Sequence, residues 1–117
     1  MPEHVLHLLD RLRDTTHTPV LLVAVPEATP VHEAARLQAD LSRSGITPTA
    51  WVPNQALTAA NPTDSVLMAR AASEYRCLTE VATTPAERLV MLSSVAEAPV
   101  GAARLRSLVV EAAGATR

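Results

Sequence analysis

Residues 20–52 read VLLVAV-PEATPVHEAARLQADLSRSG-ITPTAWV, and this stretch decides the fold. Val20 to Val25 form a continuous aliphatic run, apolar at every position. A strand without polar alternation is the mark of a central parallel strand covered by helices. Pro26-Glu27-Ala28 is a short loop. Thr29 is a suitable N-cap, with Pro30 at the first helical position and Glu33 close enough to favour the helix dipole. The helix should run to Ser44 with Val31, Ala34, Leu37 and Leu41 inward, and Gly45 should stop it in a left-handed conformation. Ile46 to Val52 then reads as a second strand, with Pro48 demanding an irregular start or an exposed edge. Together the pieces form one β-α-β unit with a right-handed crossover.

Outward from this unit, Pro2 to Asp14 place Val5, Leu8, Leu9 and Leu12 on one face of an amphipathic helix, broken by Thr15 to Pro19. Asn54 to Thr63 form a polar loop. Thr63 or Asp64 caps a long helix reaching about Val81, with Leu67, Ala71, Tyr75 and Leu78 along one stripe. Thr83-Thr84-Pro85 ends that helix, and Arg88 to Val95 carry a third strand through Leu89, Val90, Met91 and Leu92. Pro99-Val100-Gly101 leads into a final helix with Leu105, Leu108, Val109 and Ala112 inward, and the tail after Gly114 should fray. The fold class is α/β: a partial doubly wound parallel sheet of about three strands with helices on both faces, in the order α-β-α-β-α-β-α. Sheets average ~5–6 strands, so this one reads as part of a larger sheet.

Composition narrows the chemistry. The chain has 117 residues, room for one domain, and 48% of them are hydrophobic, which excludes a disordered chain. Aromatics are only Trp51 and Tyr75, so Leu, Val and Ala must build the core. A net charge of −2 argues against a general nucleic-acid binder. All ten basic residues are arginine, which excludes a P-loop or Schiff-base lysine in this polypeptide. Three glycines are too few for a Gly-rich phosphate loop, and a single cysteine, Cys77, excludes an internal disulfide. The amino-terminal residues do not read as a signal peptide, and the longest apolar run is far short of the ~20 residues of a membrane span. The expected location is cytoplasmic.

In open α/β sheets ligands sit beyond the carboxyl ends of the strands, which selects Glu27, Asn54 and the Ser93 to Pro99 segment. The Asn54 amide donates and accepts at once and so matches the N6/N7 edge of adenine. An asparagine satisfying its own turn is the plain alternative. Glu27 precedes a helix, where the dipole alone favours a carboxylate; it could also meet a cation near a nucleotide. His4, His7 and Asp10 read as a solvated helix face, and His32-Glu33 begins no HExxH motif because Arg36 stands where the second histidine would be. Cys77 reads as a packed small side chain. Ser93-Ser94 lack the flanking glycines of a nucleophile elbow.

The stretch from Val20 through Trp51-Val52-Pro53-Asn54-Gln55-Ala56-Leu57 closely resembles the C-terminal part of the nucleotide-binding domain of arsenical pump-driving ATPases. That P-loop NTPase-like superfamily includes the ATPases that target tail-anchored membrane proteins. Ala96 to Leu105 are similar to the family's closing loop and last helix. The resemblance implies that residues 1–117 are a single domain, the C-terminal portion of such a nucleotide-binding domain. It implies a carboxylate near the nucleotide at Glu27, an adenine reader at Asn54, and a loop from Ser93 to Gly101, including Pro99, closing over the base. The family's phosphate loop, switch regions and catalytic aspartate lie upstream of this region. Pro53 replaces an aliphatic residue, Ser93 stands where the family carries proline, and no cysteine pair follows Asn54. The last departure favours the arsenical-pump branch.

The implied cofactor is ATP, with Mg²⁺ only if an upstream phosphate-binding segment completes the site. The chain by itself is expected to be inactive as an ATPase. Implied partners are an upstream ATPase fragment or a second copy of the chain, and an arsenite efflux partner in the membrane. The alternative is a non-catalytic interaction module or a remnant that pairs with another chain or itself.

Overall fold

The computed structural model describes residues 2–83 and 88–114, with side chains as far as Val109. The elements are α1 (Glu3–Arg13), β1 (Leu21–Ala24), α2 (Ala28–Arg43), β2 (Ala50–Pro53), α3 (Leu57–Ala60), α4 (Ser65–Ala82), β3 (Arg88–Leu89) and α5 (Ala102–Gly114). The three strands are parallel in the order β1-β2-β3. The short α3 inside the expected polar loop is the one added element.

Leu22 pairs with Trp51 in register, and both side chains are buried with Val31 of α2 and Cys77 and Val81 of α4. Strand residues alternate between faces, so α2 and α4 cover the Leu22/Trp51 face together. On the opposite face Leu21 and Val23 are 56% and 58% exposed. Here β1, read from its apolar run as a central strand, stands at an edge of the sheet, and β2 is the central strand.

Pro48 makes the start of β2 irregular. It is fully buried, and pairing proper begins at Ala50. The third strand is much shorter than the eight residues expected, and Pro53 explains why. Trp51 and Pro53 turn their carbonyls toward the third strand, accepting from Val90 and Leu92 nitrogens at 2.9 Å each. In a parallel ladder a residue's N–H and C=O address the same neighbour, and proline has no N–H to give. The ladder therefore ends at Leu89, while the chain stays alongside to a bridge between Ala56 and Ser93.

Helix ends follow local chemistry in part. Asp64 is the N-cap of α4, its carboxylate accepting from Val66 and Leu67 backbone N–H at 2.9 and 3.1 Å. Gly45 has φ +81° after α2, and the Ile46 and Gly45 N–H groups bond back to Leu41 and Ser42 carbonyls at 2.8 and 3.0 Å, a Schellman closure. The start of α2 differs from expectation. Glu27, in extended conformation, is its N-cap, not Thr29, and Pro30 falls in the first turn, where its missing N–H leaves no intrahelical bond unmade.

The inward faces also shift. In α2 the buried residues are Val31 and Gln38, with Ala34, Ala35 and Leu41 packed beside them, whereas Leu37 is exposed. In α4 they are Ala71, Glu74, Cys77 and Val81, leaving Tyr75 69% exposed and Leu67 exposed as well. No residue of α1 is fully buried, Leu8 is exposed, and on α5 Leu105 and Val109 are exposed. The expected inward Ala112 and the helix stop at Thr84-Pro85 lie outside the described residues or side chains, as does the tail beyond Gly114. The Cα radius of gyration is 16.8 Å, against roughly 13 Å for a compact domain of this length. The packed face accounts for only part of the chain's apolar surface.

Candidate functional site

At the carboxyl edge of the sheet the backbone of β2 runs directly into the site. The Asn54 N–H donates to the Ala24 carbonyl at 2.9 Å, so residue 54 begins where β1 ends. The half-buried Asn54 side chain accepts through Oδ1 from the Gln55 N–H at 3.0 Å. Gln55 has φ +56°, a left-handed conformation costly for a residue with a side chain. The local bond expected of a turn asparagine is thus made, with one lone pair of Oδ1. A carbonyl oxygen has two, and the Nδ2 group has two donors of its own.

Ala56 is completely buried and tied on both sides. Its N–H donates to the Leu92 carbonyl at 2.9 Å, and its carbonyl accepts from Ser94 N–H at 3.1 Å. The structure thereby brings Ser93 beside the loop that carries Asn54. The exposed Ser93 hydroxyl donates to the Ser94 carbonyl at 3.0 Å. Beyond it the segment turns through Pro99, which is half-buried, with Val100 N–H to the Ala98 carbonyl at 2.9 Å. Gly101 at φ +90° opens α5, and Arg104 pairs with Glu97 at 3.1 Å across that turn.

Glu27 stands beyond the end of β1 and lines a separate cleft of about 850 Å³ against α4, with Arg70, Ser73, Arg76, Cys77 and Glu80. Its carboxylate is exposed. Burial pushes the Cys77 thiol pKa up, and the carboxylates of Glu80, Glu27 and Glu74 add to the shift. A thiol held protonated is a packed side chain and not a nucleophile at neutral pH. Across the same helices His32 of α2 reaches Glu80 of α4 at 3.4 Å.

The residue that sequence reasoning missed is Glu74. It is 8% exposed, on the inward face of α4, and its carboxylate takes Leu57 N–H at 2.9 Å, Thr58 N–H at 3.2 Å and the Thr58 hydroxyl at 3.3 Å. Choosing Tyr75 as the inward residue of that turn hid it. A glutamate between Ala71 and Leu78 at helical spacing was the available signal.

A three-stranded parallel sheet with α2 and α4 packed on its Leu22/Trp51 face, and a strand-to-helix loop at its carboxyl edge, defines an α/β protein. The chain belongs to the family described as anion-transporting ATPase, which matches residues 1–109. It is 42% identical over 98 residues to an arsenical pump-driving ATPase of Acidiphilium multivorum, a match covering 84% of this chain and 17% of that protein. Against an arsenical pump-driving ATPase of Escherichia coli it is 42% identical over 100 residues, again 17% of the relative's length. The chain therefore spans about a sixth of the curated relatives it matches. Among the described residues no helix is long and apolar enough to cross a membrane.

Proposed function

We propose that this chain is the C-terminal, base-recognising portion of the nucleotide-binding domain of an arsenical pump-driving ATPase, a single domain over residues 1–117. The observation that carries the reading is Asn54, half-buried at the carboxyl end of the central strand and tied through Ala56 to the segment that begins at Ser93. Its Nδ2 would donate to adenine N7, and the second lone pair of Oδ1 would accept from the exocyclic amine. The loop from Ser93 through Pro99 to Gly101 would lie over the base. Glu27, whose cleft against α4 is lined by neither Asn54 nor Ser93, is given the ribose or a cation near it by the family resemblance alone.

The adenine half of ATP fits these groups. The phosphate half does not, because the P-loop cradle of a glycine-rich loop and its lysine is missing from a chain with no lysine and only three glycines. Hydrolysis and Mg²⁺ would then belong to polypeptide outside this chain, and the purified chain should show no ATPase rate above background. The matched relatives are named arsenical pump-driving ATPases; that the complete protein drives arsenite efflux from the cytoplasm through a membrane partner is part of the same proposal.

Calorimetric titration with ATP tests the reading. Binding by the wild type that weakens about tenfold or more in Asn54→Ala supports it, the scale of one lost bidentate base contact. Equal binding by both proteins would sink the base-reading role.

A second reading, a non-catalytic module, draws on the unpaired edge of β1 and on the exposed Leu21 and Val23. An open parallel edge can accept a strand from a partner or a second copy. Light scattering separates the two: a stable homodimer indifferent to nucleotide favours the module.

A further inference from the structure

Glu74 is the one carboxylate of α4 that is buried, and it spends every bond described for it on residues 57 and 58. Those residues follow Asn54-Gln55-Ala56 without a break, and they sit at the start of a helix of only four residues. So short a helix cannot hold its own first turn, because nucleation fixes several dihedrals for a single hydrogen bond. Leu57 and Thr58 N–H groups have no intrahelical partner to bond. A charged acceptor makes roughly twice the bond of a neutral one, and here it comes from the rigid interior of an 18-residue helix. On the other side Ala56 is held by Leu92 and Ser94. Asn54 and the left-handed Gln55 are thus strung between the end of β2 and a point pinned by α4.

We propose that Glu74 is a positioning residue: by anchoring Leu57 and Thr58 it fixes the pose of the 54–58 loop, and through it the direction of the Asn54 amide. What that pose serves rests on the base-reading role proposed above, whereas the pose itself does not.

The test uses the ligand-free full chain and nuclear magnetic resonance, with Glu74→Ala and the near-isosteric Glu74→Gln. In Glu74→Ala, exchange protection of the Leu57 and Thr58 amides should fall about tenfold or more, the scale of one charge-assisted bond. The Asn54 side-chain NH₂ and Gln55 backbone resonances should move or broaden at the same time. Glu74→Gln, which keeps one acceptor oxygen, should fall between the two. A merely structural glutamate would lower protection evenly through β1, β2 and α4, and that even loss would overturn the proposal. So would Asn54 and Gln55 signals left in place in a folded Glu74→Ala. Failure of Glu74→Gln to fold would also overturn it, since the carboxylate would then support the whole fold and not the loop. If ATP binds wild type and Asn54→Ala equally while these resonances still respond to Glu74, the base-reading role fails and the positioning role stands.

Discussion

Two pairs of helices with similar composition end up in different surroundings. α2 and α4 each bury a stripe against Leu22 and Trp51 and carry a buried polar side chain within it. α1 buries no residue fully, and α5 leaves Leu105 and Val109 in solvent. The cause is topological. Parallel strands added one after another in the order β1-β2-β3, joined by crossovers of the same hand, put both crossover helices on the same face, as α2 and α4 are. The opposite face of β1 is left open, and helices outside the crossovers have no strand pair to close over. Amphipathicity alone does not make a helix part of a core; its place between two strands does.

The sharpest way to break this comparison is to empty the packed face. Trp51→Ala should cost about 3–5 kcal/mol in denaturant unfolding, and Leu22→Ala about 2–5 kcal/mol. One residue on, Val23→Ala should stay within about 0.5 kcal/mol, as exposed positions do. Equal costs for Leu22 and Val23 would mean that the open face is covered in solution. The same unfolding measured at several protein concentrations would tell whether a second copy covers it.

Polar groups sharpen the contrast at smaller scale. The Trp51 indole N–H donates to Gln38 Oε1 at 3.1 Å inside the core. Gln38→Leu should destabilise by about 1–3 kcal/mol, because it leaves that donor buried without its acceptor. Asp64→Ala removes the N-cap of α4 and should cost about 1 kcal/mol, read as a lower thermal midpoint.

The smallest effect belongs to the exposed turn after α1. Hydrogen bonds from the Thr16 side chain and backbone, then from His17, hold the Asp14 carboxyl at about 2. A carboxylate whose folded pKa lies below its unfolded value of about 3.9 contributes stability above that value. The contribution fades as the pH falls from about 4 through about 2. Carboxyl-detected titration should place the Asp14 midpoint near 2, and Thr16→Ala should move it upward. An unshifted midpoint in wild type would remove this turn from the set of ordered features.

Legibility in the sequence followed the range of the forces. Asp64 as a cap and Gly45 as a stop could be read because each acts within a few residues of itself. Strand ends alone selected Glu27, Asn54 and Ser93 as candidates; the structure brings Ser93 beside the Asn54 loop through Ala56, while Glu27 lines a cleft against α4. The α4 stripe was misread by one residue. Leu67, Ala71, Tyr75 and Leu78 satisfy helical spacing as well as Ala71, Glu74, Cys77 and Val81 do, and hydrophobicity favours the tyrosine. Only the Leu57 and Thr58 N–H groups, which lack intrahelical partners and are distant in sequence but adjacent in space, make the glutamate the better inward residue.

By itself, then, the chain's order of residues determined most of the strands and helices, though not the short α3 or the two-residue length of β3, where several of them stop, and that the sheet is parallel. These depend on backbone preferences, hydrophobic period and caps, all local. Tertiary structure alone decided that β2 lies in the middle, that β1 keeps an open edge, that Pro53 cuts short the third strand, and which carboxylate turns inward. Each of those outcomes depends on which distant groups need a partner, and no local pattern records that.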